Sequence, residues 1–434
     1  MDQGEALWIR AKEVIAGGVS MVSKRPDMYM PHGWPTYFTR SKGFNLWDLD
    51  DNQWRDFCFM GLGTNLLGYS HPKVDAAVTR AISSGNLSTL NVPEEVFLAE
   101  RLIALHPWAS KARFARTGAE ACTMAVRLAR ASSGRDAVAF CGYHGWHDWY
   151  LAANVGQSDA LAGHLLPGLL PRGVPGNLAG SAIPFRYNRL DELQSIIERR
   201  PDVGVIYLEV QRSTPPDPGF LEGVRALATK AGAVLVFDEN TSAFRYGLGG
   251  MHLRYGVDPD VAVFGKTLGN GYAITAVLGI ESVMESAQDT FMSSTFWTDR
   301  IGPAAGLATL EVMAEENSPA RAHSTGIRVQ EGWLSLAREN GLQIEVGGLP
   351  ALANFTVPRL PAVSVKTYIF SEMLKAGYLA GPNFYASTSH TEEAVDEYLN
   401  QISHVFAKLG KFDESDLAAA LPDGPAKSGF VRLT

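Results

Sequence analysis

The sequence predicts an α/β protein built on a mostly parallel sheet covered by helices, and two observations predict it. Six short runs rich in Val, Ile, Leu, Phe and Ala, at 112–115, 137–140, 203–210, 233–238, 261–264 and 275–279, alternate with helix-like stretches. Runs that are apolar on both faces suit strands covered by helices from either side. The second observation is chemical: Glu209, Asp238 and Lys266 fall at or just beyond the carboxyl ends of three of these runs. That edge is where such sheets hold ligands.

Taken in order, residues 5–15 read as a helix ended by Gly17 and Gly18, followed at 21–35 by a loop rich in Pro, Met and aromatics. Short antiparallel strands are expected at 37–38, 44–48 and 53–59, with the turn signal Asp50-Asp51-Asn52 between the last two. Gly61, Gly63 and Gly68 lead through His71-Pro72 into a helix at 74–83, and Pro93 opens another that ends near His106. Inside the sheet region a helix is expected at 121–131, and a long helical pattern at 301–316 leads to a boundary at Asn317-Ser318-Pro319. Beyond it come a helix at 321–340, strands at 342–346 and 353–356, a helix at 365–376, a strand at 378–380 and a helix at 392–409. Residues 412–434 read as a loosely packed tail. The expected division is an N-terminal segment at 1–62, a large domain at 63–318 and a C-terminal α+β domain at 319–434.

Composition narrows the function classes. With 434 residues, 46% hydrophobic and 19% charged, the chain has the make-up of a globular protein with a large core. A net charge of −8 and the lack of any basic run with interleaved aromatics disfavour a nucleic-acid or anionic-membrane partner. Cys58, Cys122 and Cys141 form no CxxC pair, which suggests neither a disulfide framework nor a zinc site and fits a reducing cytoplasm. The start, Met-Asp-Gln-Gly-Glu-Ala-Leu-Trp, lacks a basic segment followed by an apolar run, and no apolar stretch approaches the ~20 residues a membrane helix needs.

Four stretches carry chemistry. Residues 261–271, Val-Ala-Val-Phe-Gly-Lys-Thr-Leu-Gly-Asn-Gly, mount a single lysine behind an apolar strand. A lysine amine depressed by its surroundings is the usual partner for Schiff-base chemistry, although a solvated surface lysine has the same pattern. Residues 116–121, Arg-Thr-Gly-Ala-Glu-Ala, join a strand to a helix with small residues, so backbone amides at the helix N-terminus can approach an anion. Any tight strand-to-helix turn shares that look. Residues 142–147, Gly-Tyr-His-Gly-Trp-His, put a flat ring on a glycine-flanked loop, suited to stacking or to ordinary packing. His144 and His147 read as hydrogen-bonding histidines rather than metal ligands, because no carboxylate or cysteine completes a set. Residues 234–239 end an apolar strand with Asp238, whose partner is either a cationic ring nitrogen of a ligand or a residue such as Arg245.

Thr-Gly-Ala-Glu-Ala at 117–121, Tyr-His-Gly at 143–145, Phe-Asp-Glu at 237–239 with Phe244-Arg245, Gly-Lys-Thr at 265–267 and Ser-Thr-Phe at 294–296 occur in a telling order and spacing. Together they resemble the class III pyridoxal-phosphate aminotransferases, with most likeness to the glutamate-1-semialdehyde aminomutase branch, from about Gly17 to Leu409. The resemblance implies a fold type I homodimer with sites at the subunit interface and a small α+β domain drawn from both termini. It implies that Lys266 holds pyridoxal 5'-phosphate as a Schiff base and shuttles a proton, and that Asp238 pairs with the pyridinium nitrogen. Tyr143 would stack on the ring, the amides of Gly118 and Ala119 would hold the phosphate, and Thr295 would reach in from the other subunit. Glu209 matches the acid near the cofactor's 3-oxygen, with Thr117, His144 and Asn240 among the remaining cofactor contacts.

The chain also departs from the family pattern. Ala119 stands where relatives usually carry a hydroxyl, a loss on the order of 1–3 kcal/mol of phosphate binding. Asn240 stands where an aliphatic side chain packs under the ring, and Ala243 where glycine is common. Tyr385 replaces the acid of the aminomutases, and no arginine lies between Arg359 and Arg432 to clamp a carboxylate as in the ornithine and GABA branch. Substrate contacts are therefore expected from Lys24, Arg25, Trp34 and Tyr385. The function expected is transfer of an amino group from a small-molecule donor to a keto or aldehyde acceptor, with a racemase or aminomutase on the same scaffold as the alternative.

Overall fold

The computed structural model describes residues 2–164, 167–211 and 213–429. The chain divides into two units, one formed by Met1–His71 with Arg321–Thr434 and the other by Pro72–Ala320. The expectation put the divisions after residues 62 and 318. The segment after residue 62 belongs with the N-terminal strands because backbone bonds hold it there: Tyr69 and Gly43 exchange N–H···O bonds, and Thr388 N–H donates to Leu66 O. The last five residues of the expected C-terminal domain, 430–434, lie outside the described residues.

The discontinuous unit begins with a helix, Gln3–Val14, and three strands, β1 (Phe38–Lys42), β2 (Asn45–Asp48) and β3 (Gln53–Asp56). The first strand runs four residues further than expected, because Arg40, Ser41 and Lys42 pair antiparallel with β2 although they are polar. Pairing supplies the backbone partners that a polar edge needs.

The continuous unit carries the strands β4 (Lys111–Ala115), β5 (Ala137–Cys141), β6 (Ala182–Pro184), β7 (Val203–Glu209), β8 (Val234–Asp238), β9 (Val261–Phe264) and β10 (Thr275–Gly279). Among the described residues they form one sheet in the order β4-β10-β9-β8-β7-β5-β6. Neighbours from β9 to β6 pair parallel, whereas β10 is antiparallel to both β9 and β4. Two reversals restore direction, so β4 points the same way as the parallel strands. The carboxyl ends of β4, β5, β7, β8 and β9 therefore share one edge of the sheet. The central strands are buried along nearly their whole length, which explains why their sequences are apolar without alternation. The helix Gly118–Ser133 covers one face with Ala121, Met124, Ala125 and Leu128.

The C-terminal part returns to the first unit with β11 (Glu345–Gly347), β12 (Leu352–Thr356), β13 (Tyr378–Leu379) and β14 (Asn383–Tyr385). β13 adds to β3 in parallel, extending the N-terminal sheet, and β11-β12-β14 form a separate antiparallel sheet. The strand expected at 342–346 starts later, because Leu342 N–H bonds back to Ala337 O and closes the preceding helix. The core of this unit stacks Phe57 on Tyr398, with ring centroids 4.8 Å apart, and seats His390 4.5 Å from the Phe57 ring. The expected loose tail is instead docked as far as Lys427. A helix at Glu414–Ala419 opens with a capping box from Asp413, Leu417 is buried, and Ala426 N–H donates to Thr367 Oγ1.

Candidate active site

Asp238 ends β8, and Lys266 follows β9 after Gly265. The two strands are parallel neighbours with Asp238 opposite Val263, so the acid and the amine leave the sheet side by side. Asp238 is 3% exposed. Its Oδ2 takes a 2.8 Å hydrogen bond from His144 Nδ1 and a 3.5 Å one from Cys122 Sγ, while Oδ1 accepts from Asn240 N–H at 3.0 Å. Burial alone would push this carboxyl up, but the His144 hydrogen bond and charge more than offset it and hold Asp238 below the usual carboxylate range. Asp238 is thus a buried carboxylate kept as an anion.

His144 is itself enclosed, and its Nε2 donates to Cys141 O at 3.1 Å. With one ring nitrogen on a carbonyl and the other on Asp238, it reaches the site only through Asp238. In this structure the buried His144 orients Asp238. Asp238 is not paired with Arg245, whose Nε donates to Thr241 O at 2.6 Å.

Lys266 sits at φ +37° at the start of a 3-10 turn, Lys266–Gly269, a backbone state costly for a branched-Cβ or long side chain and kept only where the surroundings impose it. Its Nζ donates to Thr241 Oγ1 at 2.6 Å. Asn240 lies between Gly118 and Gly265: a Cβ added at Gly265 would stand 2.3 Å from Asn240 Oδ1, and one at Gly118 3.3 Å. Asn240 Oδ1 is buried with no hydrogen-bond partner among the described residues. Next to it, Glu239 is fully buried and accepts from Ser242 Oγ, His252 N–H at 2.8 Å and His252 Nδ1 at 2.9 Å. Trp108 Nε1 donates to His252 Nε2 at 2.8 Å, which fixes the histidine tautomer with its hydrogen on Nδ1. The turn that carries Asn240 and Thr241 is therefore mounted on a closed polar network.

The turn after β4 opens the helix Gly118–Ser133 with a capping box, Thr117 Oγ1 accepting from Glu120 N–H and Glu120 Oε2 accepting from Thr117 N–H. The amides of Gly118 and Ala119 are left to the helix N-terminus, where the dipole favours an anion. Gly145 is pressed against this turn at φ +100°, and a Cβ on it would come 2.7 Å from that of Ala119. Tyr143 donates its N–H to Glu209 Oε2 at 3.2 Å and leaves its ring partly exposed. Thr295 is exposed, and its hydroxyl makes no hydrogen bond among the described residues. Its segment is anchored by Arg116, which grips Asp299 Oδ2 at 2.8 Å and Trp297 O at 2.8 Å.

A phosphate needs backbone amides at a helix start, a protonated ring nitrogen needs a buried anion, and an aldehyde needs an amine. The Gly118 turn, Asp238 and Lys266 meet these needs on one sheet edge, so the residues fit pyridoxal phosphate. The sequence did not point to Thr241, Cys122 or the Glu239 network. Thr241 reads as an ordinary turn hydroxyl, and its place three residues after Asp238 was the only signal.

The expected substrate residues lie in the other unit. Lys24 is exposed, and Arg25 is buried in an ion pair with Asp27, 2.7 Å, which Lys427 also approaches at 3.1 Å. Trp34 stacks on Tyr29 with centroids 4.3 Å apart, Tyr29 meets Phe59 edge-on at 6.2 Å, and Phe59 meets Tyr385 at 5.3 Å. Trp34 and Tyr385 thus belong to one aromatic cluster. Lys366 Nζ lies 5.8 Å from the Tyr29 ring, and burial pushes this lysine below its ordinary value.

Comparison with known proteins agrees with this chemistry. The family model Aminotransferase class-III matches residues 29–405. The chain is 30% identical over 424 residues to a 3-aminobutyryl-CoA aminotransferase of Cloacimonas acidaminovorans (strain Evry), covering 94% of this chain and 97% of that protein. Among solved structures it is similar to the FumI protein of Sphingopyxis sp. MTA144 in its PLP internal aldimine form, TM-score 0.83 and 24% identity, over 93% of this chain and 95% of that one. An omega-transaminase from Sphaerobacter thermophilus gives a TM-score of 0.82 at 23% identity, over 95% and 98%.

Proposed function

The chain belongs to the class-III aminotransferases, pyridoxal-phosphate-dependent transaminases of fold type I, and from that premise we propose how its residues divide the work. Pyridoxal phosphate, when bound, supplies an aldehyde that condenses with amines and a ring that takes up electrons. Lys266 is the residue that binds the aldehyde carbon and moves the proton at the substrate carbon. Asp238 holds the ring nitrogen protonated, Tyr143 stacks on the ring, and Glu209 lies toward the ring's 3-oxygen. Asn240 packs beneath the ring, and Thr117, Gly118 and Ala119 receive the phosphate. The observation that carries this reading is the buried Asp238 carboxylate, kept ionised by His144 one strand away from Lys266.

The active form proposed is a homodimer in which the second copy contributes Thr295. Phe291 and Phe296 on that segment are 84% and 67% exposed, apolar surface that a second copy could cover. Three buried thiols suit a reducing cytoplasm; among the described residues no helix is long and apolar enough to cross a membrane.

For the substrate, the similar 3-aminobutyryl-CoA aminotransferase supports a donor whose amine sits on the carbon β to an acyl group, with Lys24, Arg25, Trp34 and Tyr385 as its contacts. Mixing the purified protein with single β-amino compounds and following the cofactor absorbance tests this. One equivalent of donor should be consumed, and the reaction should then stop until a keto acid is added. Continuous turnover without an acceptor would instead identify an isomerase.

A further inference from the structure

The lysine that binds the cofactor is released from it each time an amino substrate takes its place, and it must then stay within reach. A free lysine side chain has many rotamers among which to wander. In this protein Lys266 Nζ is 2.6 Å from Thr241 Oγ1. Thr241 is 8% exposed, and its position is determined from several sides. Its carbonyl accepts from buried Arg245, and its neighbour Glu239 is locked by Ser242, His252 and Trp108.

We propose that Thr241 is a positioning residue for Lys266, its hydroxyl being the docking point of the ε-amino group whenever that amine is not bonded to the cofactor. A hydroxyl suits this role because it both accepts and donates: it can accept from an ammonium and donate to a neutral amine. The same contact therefore survives the proton transfer that the amine performs. A backbone carbonyl could hold only the protonated or donating form, and an aliphatic residue neither. The contact forms from a backbone at φ +37°, with the Lys266 side chain reaching the turn after β8. This inference rests on the assignment of Lys266 as the Schiff-base lysine.

The test uses the full-length protein stripped of cofactor and reads the rate at which it captures added pyridoxal phosphate covalently, by the absorbance of the lysine-bound form. Thr241→Val, which keeps the shape and loses the hydroxyl, should slow capture about tenfold, the loss of one hydrogen bond to an ionisable group, while Thr241→Ser stays within about threefold. Non-covalent affinity is then compared in a Lys266→Ala background, where adding Thr241→Val should change it less than twofold, because Thr241 acts only through the lysine. Wild-type capture rates in Thr241→Val would overturn the proposal and leave the role of Lys266 intact. An equal loss of affinity in the Lys266→Ala background would overturn it in favour of a general packing role. If Lys266→Ala still forms the covalent band, both the lysine assignment and the proposal fail.

Discussion

Ala119 stands second in the helix whose N-terminus is proposed to receive the phosphate, and its methyl group lies against Gly145. Ala119→Ser is expected to add one charge-assisted hydrogen bond and tighten cofactor binding five- to tenfold, on the order of 1 kcal/mol. Titration of the stripped protein checks this, and unchanged affinity would mean that the phosphate does not sit at this turn. Lys266 and Asp238 could be singled out in the sequence because a charged residue directly beyond an apolar run is unusual and must have a partner. The partners themselves were not legible. His144 looks like a loop residue beside Tyr143, and only the tertiary placement of the loop after β5 against β8 turns it inward onto Asp238. Taken alone, the sequence favours Arg245 as the partner, but its Nε donates to Thr241 O.

At the scale of elements, the apolar runs gave the strands of the central sheet to within a residue or two, because burial on both faces leaves a composition that nothing else explains. β6 and β14 were missed. Each has three residues, one containing Pro184 and the other Asn383, and both exist because a neighbouring strand offers them backbone partners. The reversed direction of β10 was equally invisible, since a strand's sequence does not encode which way its neighbours run. The segment around Thr295 makes a prediction of its own. If it serves the site of a second copy, Lys266→Ala and Thr295→Asp proteins should each be inactive, yet co-refolded mixtures should regain about a quarter of wild-type activity. Half the dimers are then mixed, and each of these has one intact site of two. No recovery would assign Thr295 to its own chain.

Across the whole molecule, two buried histidines contribute to the response to acid. Burial lowers both His106 and His390 to about 4, against 6.5 for an exposed ring. Each accepts a backbone N–H on one nitrogen, from Gly250 and Ser387, and so is neutral when folded. Between these values the unfolded chain binds more protons than the folded one. Stability is therefore complete above about pH 6.5 and falls as the pH drops toward 4, by up to about 3 kcal/mol for each histidine. Urea titrations at pH 7.5 and 5 should show the loss, and His390→Gln should flatten it for the unit that contains it. That same unit joins Arg55 of β3 to Tyr378 of β13 across 323 residues. On a ribosome adding about 5–20 residues per second, β3 waits roughly 15–65 s for its neighbour, long enough for the intervening Pro72–Ala320 unit to emerge and fold first. The segment before Pro72 thus leaves the ribosome without its partner strands, and polar residues on β1 and β3 suit edges that must wait unpaired without recruiting another nascent chain.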